Sequence, residues 1–343
     1  MSMTYAGRVS SLDRLGTNVG RCITAEEGYK IADLDWDPHK EQLKCPFTGD
    51  PINGWAIYRS DDLSPSGFIA TVNSGYEPQG HKRGFMILDR LLGQIGGAHY
   101  ENMGSLDGGR IVWGQANIST QTRIRGTDDI YENFAMFATG HAANLHYELK
   151  LASIRAICRN TVMAAIAEKA LSSFRLKHTA SINDHLEAVE ARLDELEAGA
   201  KGAAMSLEEK MNYLAHRKIP GAESLMTLAA RMFPTNADGE FSTQANKAIR
   251  ELFMLFEHND GDEGNKAIRG TALNWFNATT EYVDHYRPTR GGDVKRAESS
   301  IRGDGNKFKN RVLEMLLAEV KNYPHHDFPT MVTTAPSPNV LSA

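Results

Sequence analysis

The sequence predicts an α+β fold: an N-terminal antiparallel sheet with a long packed helix, followed by a helical region. Three features predict it. Short β-forming runs separated by glycine-rich turns fill the first half. A broad apolar stretch at helical spacing starts at Leu149, and the composition turns acidic and amphipathic from about Thr179. At 343 residues the chain is long enough for two domains, or one core with an appendage. The expected division is a sheet-plus-helix core over 1–178, a helical region over 179–323 with a basic segment at 286–312, and a disordered tail over 324–343.

Taken in order, Trp55–Arg59 and Gly67–Val72 are apolar runs around the turn cluster Ser60–Ser66, which predicts a hairpin. Phe85, Leu88, Leu91, Leu92 and Ile95 follow helical spacing and stop at Gly96-Gly97. Strands are predicted at Tyr100–Leu106, Arg110–Asn117 and Ile130–Thr139, with a polar tip Thr120–Arg125 between the last two. The long helix is predicted over Leu149–Phe174, because Leu151, Ile154, Ile157, Cys158, Val162, Ile166 and Leu171 cover a wide face. Beyond it, Asn183–Ala200 reads as an acidic helix and Ser206-Leu207-Glu208-Glu209 as the capping-box start of another. Ala222–Met232, Thr243–Glu257, Thr271–His285 and Lys307–Lys321 read as further helices.

The net charge of −5 argues against a protein that coats duplex nucleic acid through bulk charge. Its distribution is uneven. Between Tyr286 and Val312 eight Arg or Lys face three acids, and screening confines such a patch to about 10 Å, so it can hold phosphates on an acidic protein. No apolar run approaches the roughly 20 residues of a membrane span, and Met1–Leu15 lacks the basic-then-apolar order of a secretory signal. Cys22, Cys45 and Cys158 are far apart and without metal-type spacing. Together these predict a cytoplasmic protein with reduced thiols and no membrane partner.

Signatures of catalysis and cofactor binding are weak. Counted from Asp260, position 12 of a calcium loop falls on Ala272, which offers no oxygen. The Gly104–Gly109 cluster lacks a following Lys-Ser/Thr and dinucleotide spacing. His141 and His146 are five apart rather than four, and His325-His326-Asp327 has no second ligand cluster, so no metal and no cofactor are expected. The densest acid–base cluster is Glu281, Asp284 and His285, where i,i+4 spacing would put Glu281 and His285 on one helix face. A local ion pair with a helix-terminal histidine accounts for the same residues.

Arg155 and Arg159 share i,i+4 spacing on the predicted long helix, with Asn160 beside them, and forked guanidinium donors suit phosphate oxygens. Arg110, Arg123 and Arg125 on the strands and their tip would form a second wall. Arg287, Arg290, Lys295 and Arg296 would add the basic segment. Such a groove suits a single strand, whose bases stay accessible. Pairing of Arg155 and Arg159 with acids on neighbouring helices is the competing explanation.

Several ordered motifs carry a resemblance: Leu34-Asp35-Trp36, Tyr58–Asp61, Tyr76-Glu77-Pro78-Gln79, Gly104–Trp113, Ile154–Thr161, Lys177-His178-Thr179 and Asn277–His285. With these the chain resembles the phage- and plasmid-related proteins, of the lateral-gene-transfer type, catalogued as a domain of unknown function. The His141–Tyr147 segment departs from that pattern. In its sheet-plus-helix layout the family is in turn similar to single-strand annealing recombinases. The resemblance implies single-stranded DNA as partner, a homo-oligomeric ring or filament, ATP-independent strand annealing, and backbone contacts by Arg155 and Arg159. Two other functions compete with it: a metal-dependent nuclease or hydrolase centred on Glu281, Asp284 and His285, and a counter-defence or host-interaction protein working through the acidic helices Asn183–Glu209.

Overall fold

The computed structural model describes residues 14–143, 145–155, 161–163, 174–257, 263–301 and 303–322. Its sheet-forming half runs β1 (Thr17–Cys22), α1 (Ala25–Ile31), β2 (Pro38–Lys44), β3 (Pro51–Arg59), β4 (Phe68–Val72), α2 (His81–Gly93), β5 (His99–Leu106), β6 (Ile111–Arg123), β7 (Ile130–Gly140), β8 (His146–Arg155), β9 (Thr161–Met163) and β10 (Phe174–Lys177). All the pairings are antiparallel. β5 to β8 form a meander, with β1 on the β5 side and both β9 and β10 on the free edge of β8. β2, β3 and β4 make a separate three-stranded sheet, which contains the predicted hairpin.

Alternation along β6 and β7 buries both faces of the large sheet. Val112, Ala116, Ala135 and Phe137 join one core, whereas Ile111, Trp113, Phe134, Met136 and Ala138 join another. The first face is covered by α2, which approaches closely because two glycines leave room. A Cβ on Gly114 would lie 2.4 Å from Phe85 Cε1, and one on Gly84 would lie 2.2 Å from Phe137 Cζ. Between β5 and β6 the chain turns through three successive left-handed residues, Asp107 (φ 51°), Gly108 (66°) and Gly109 (103°). Trp36 lies against Gly109, where a Cβ would come within 2.8 Å of its ring.

The predicted long helix over Leu149–Phe174 is not formed where the chain is described. Its first part is the end of β8, which pairs with β7 from Ala138↔Glu148 to Tyr131↔Arg155. Buried Tyr147 and Leu149 flank Glu148, and the run His146–Lys150 alternates with a period of two. Backbone pairing to an already buried strand decides against the helical spacing of Leu151 and Ile154, which also occurs by chance in an apolar run.

The second half is helical: α3 (Ile182–Glu190), α4 (Leu193–Ala215), α5 (Gly221–Met232), α6 (Thr243–Glu257), α7 (Glu263–Ile268), α8 (Ala272–Glu281), a π turn (Tyr282–Tyr286), α9 (Gly292–Ile301) and α10 (Asp304–Asn322). Ser206 is interior to α4 rather than a cap. Leu207, Met211 and Leu214 form a continuous buried stripe, so packing carries the helix through it. Among the described residues no helix is long and apolar enough to cross a membrane, and Cys22 and Cys45 are free thiols. The tail from 324 lies outside the described residues.

Packing links the two halves. Ile182 and Leu186 of α3 enter the core beneath α2, and Ile124 and Tyr131 from the β6–β7 tip enter the helical core. Tyr131 Oη donates to Asn277 Oδ1 at 2.8 Å, both residues being buried. Asn212 of α4 holds the same tip, accepting from Arg125 N at 2.7 Å and donating to Arg123 O at 2.9 Å.

A buried imidazole–aromatic network sits under Trp36. His81 Nε2 is 2.7 Å from Leu34 O, and because a carbonyl only accepts, that nitrogen carries the proton. His81 Nδ1 in the neutral ring then accepts from His141 Nε2–H at 3.2 Å. Burial pushes the His81 pKa down to about 4. Tyr76 stacks on His178 with ring centroids 5.1 Å apart, and Glu77 N donates to His178 O, so the Tyr76–Gln79 and Lys177–Thr179 motifs meet in space.

Candidate nucleic-acid interface

A cationic recess forms where α5, α6, the π turn and α10 converge, with a volume of about 530 Å³. Local sequence explains how its walls are set. At the end of α8 the hydrogen bonding widens to i→i+5, and Arg287 N closes the turn on Tyr282 O at 2.7 Å. This delivers the Arg287 guanidinium over the Phe308 ring at 5.6 Å. Arg311, one turn along α10, lies 5.2 Å from the same ring and donates to the carbonyl of Met232, the last residue of α5. An arginine at a helix C-terminus satisfies an otherwise orphaned carbonyl. Phe233 packs on Phe308 at 5.6 Å with a 42° tilt.

Lys309, between these groove residues, points the other way. Its Nζ reaches Asp284 Oδ1 at 2.8 Å, and their side chains are only 1% and 6% exposed. That buried pair pins α10 to the π turn. Lys307 is largely exposed and lies 3.5 Å from the equally exposed Asp304, a geometry that contributes little stability. The recess thus carries three cations (Arg287, Lys307 and Arg311), three aromatic rings (Phe233, Tyr282 and Phe308) and one carboxylate, Asp304. Cations beside ring faces are the combination that holds phosphates while bases stack. The first turn of α6, at Ser242 to Ala245, opens onto the same space and adds its partial positive charge.

The expected site residues are distributed as follows. Arg110 and Lys295 converge on one carboxylate oxygen, Asp107 Oδ2, each at 3.8 Å, so the glycine turn and the basic segment meet. Lys295 also pairs with Glu298 at 2.5 Å. Arg296 donates to Arg287 O at 3.0 Å and ties α9 to the recess, while Arg290 is exposed. Arg123 and Arg125 are exposed on a tip whose backbone is docked onto α4. Arg155 ends β8 opposite Tyr131, and Arg159 and Asn160 lie outside the described residues. The i,i+4 stripe proposed for Arg155 and Arg159 therefore fails at its first member, because a strand turns about 180° per residue and not 100°.

Glu281 and Asp284 are buried, and His285 is partly so. The π turn displaces His285 from the α-helical phase that would align it with Glu281, and Asp284 is engaged by Lys309. Among the described residues no group of three His, Cys, Asp or Glu side chains is placed to hold a metal ion. Sequence reasoning included Lys307 and Arg311 in the basic segment without singling them out, and missed Phe233 and Phe308. The run Lys307-Phe308-Lys309-Asn310-Arg311, an aromatic residue between cations, was the available signal.

No curated protein and no solved structure matches the chain. The family described as a domain of unknown function, DUF932, matches residues 69–301, about two thirds of the sequence. That span includes β5 to β10, the π turn and α9. The chain belongs to the DUF932 family.

Proposed function

We propose that this protein binds single-stranded DNA at the recess between α5, α6 and α10, and anneals complementary strands without ATP as part of phage or plasmid recombination in the host cytoplasm. One observation carries the binding reading: the guanidinium groups of Arg287 and Arg311 both lie within 6 Å of the Phe308 ring, at 5.6 and 5.2 Å, and Lys307 lines the same recess. Guanidinium groups take phosphate oxygens, the rings take bases, and neither reads sequence strongly. The resemblance of the ordered motifs to phage- and plasmid-related proteins, and through them to single-strand annealing recombinases, supports annealing by a homo-oligomer.

The test has two parts. Anisotropy of a labelled oligonucleotide measures binding, and fluorescence quenching between two complementary labelled strands measures annealing with no nucleotide present. Binding that weakens with salt, together with protein-dependent quenching, is the expected result. Binding without accelerated quenching would reject annealing and keep the interface. Absence of both would reject the reading.

A further inference from the structure

The composition of the recess goes beyond general affinity for a strand. Its volume, about 530 Å³, lies within the roughly 300–1,000 Å³ range of sites for single small ligands. A track for several stacked nucleotides needs a longer channel. Among its three cations stands one carboxylate, Asp304, whose side chain is 82% exposed and thus available to a ligand. An ionised carboxylate only accepts hydrogen bonds. Next to phosphate-binding cations it repels the backbone, so Asp304 opposes affinity unless the ligand brings a donor to it.

Among the parts of a nucleotide, the base edge supplies that donor. Cytosine, adenine and guanine each present an exocyclic amine, a suitable partner for an acidic side chain. Thymine and uracil present one N–H between two carbonyl oxygens, which a carboxylate disfavours. Lys307 Nζ, 3.5 Å from Asp304, is near enough to meet a phosphate of the same nucleotide, and Arg287 and Arg311 lie 5.6 and 5.2 Å from the Phe308 ring. Resting on the single-strand reading above, we infer that the recess takes one unstacked nucleotide at a time and favours amino-bearing bases, with Asp304 accepting from the amine.

The experiment compares homopolymers of cytosine, adenine and thymine, each about 15 nucleotides long, on the full-length protein and on Asp304→Ala. Anisotropy at neutral pH gives the affinities, and a thermal melt checks that this exposed substitution leaves the fold intact. The wild type is expected to bind the cytosine and adenine strands about fivefold more tightly than the thymine strand, a margin typical of one net hydrogen bond. In Asp304→Ala that ratio should fall to about one, with the thymine strand gaining affinity. Equal binding of all three strands by the wild type would overturn the base preference while leaving single-strand binding in place. So would a uniform gain for all three in Asp304→Ala, which would make the acid a phosphate repeller only. If no strand binds either protein, the single-strand reading itself falls, and the preference falls with it.

Discussion

Lys309 Nζ donates to Asp284 Oδ1 across 2.8 Å in a site almost closed to water, and this contact joins α10 to the π turn that carries Arg287. Removing one partner takes this ion pair from a buried charge, so Asp284→Asn or Lys309→Met should cost about 3–5 kcal/mol in denaturant unfolding. The double variant Asp284→Leu with Lys309→Met should recover much of that loss, because two apolar groups need no compensation. If Asp284→Asn were thermally neutral, the pair would not be the structural pin described above.

Close packing of α2 on the sheet gives a second prediction. Gly114→Ala puts a methyl group 2.4 Å from Phe85 Cε1, and Phe85 is fully buried. The strain should lower stability by about 1–3 kcal/mol, and Phe85→Leu in the same chain should relieve part of it. Additive losses in the two variants would argue against direct contact.

Acid sensitivity follows from the imidazole network. The His81 pKa drops from 6.5 to about 4 on folding because burial disfavours its charged form, which outweighs the opposing pull of Asp37 and the Leu34 carbonyl. Between those values the unfolded chain binds more protons than the folded one, so stability is full above about pH 6.5 and declines as the pH falls toward 4. The loss from this group should reach about 3 kcal/mol. His81→Gln keeps a donor for Leu34 O and an acceptor for His141, and should flatten that part of the profile. An identical slope in the variant would assign the acid sensitivity to other groups.

How far these features were legible in the sequence depends on the kind of signal. The β5–β7 strands and helices α2, α5 and α6 were readable, because a single periodicity coincides with caps or turns at their ends. β8 was not. In His146–Arg155 the apolar residues at 147, 149, 151 and 154 serve either period, and only pairing with β7 selects the strand. α9 was hidden for a different reason. Its apolar residues Val294, Ala297 and Ile301 are sparse among charges and flanked by glycines, yet Ala297 belongs to the second sheet core with Trp113 and Phe134. The candidate interface was half legible. The cation-aromatic run at Lys307–Arg311 is local, whereas Phe233 and Arg287 join it only through tertiary packing.

Stacking on the recess can be separated from charge. Phe308→Leu keeps apolar bulk against Phe233 and removes the ring face, so affinity for single strands should fall about 5- to 100-fold, the range for one stacked base. The salt dependence should be unchanged, because no cation is lost. A variant that binds like the wild type would remove Phe308 from the interface.

The most direct test is the affinity of a labelled single strand for the wild type and for Lys307→Glu, measured across a salt series. Lys307 is largely exposed and its substitution should leave the fold intact. With cations of the recess meeting phosphates, log affinity should fall with log salt, by about 0.7 in slope for each phosphate neutralised on a single strand. Lys307→Glu should weaken binding at low salt and reduce that slope by about 0.7. Salt-independent binding, or a Lys307→Glu protein with the wild-type affinity and slope, would contradict the placement of the interface at this recess.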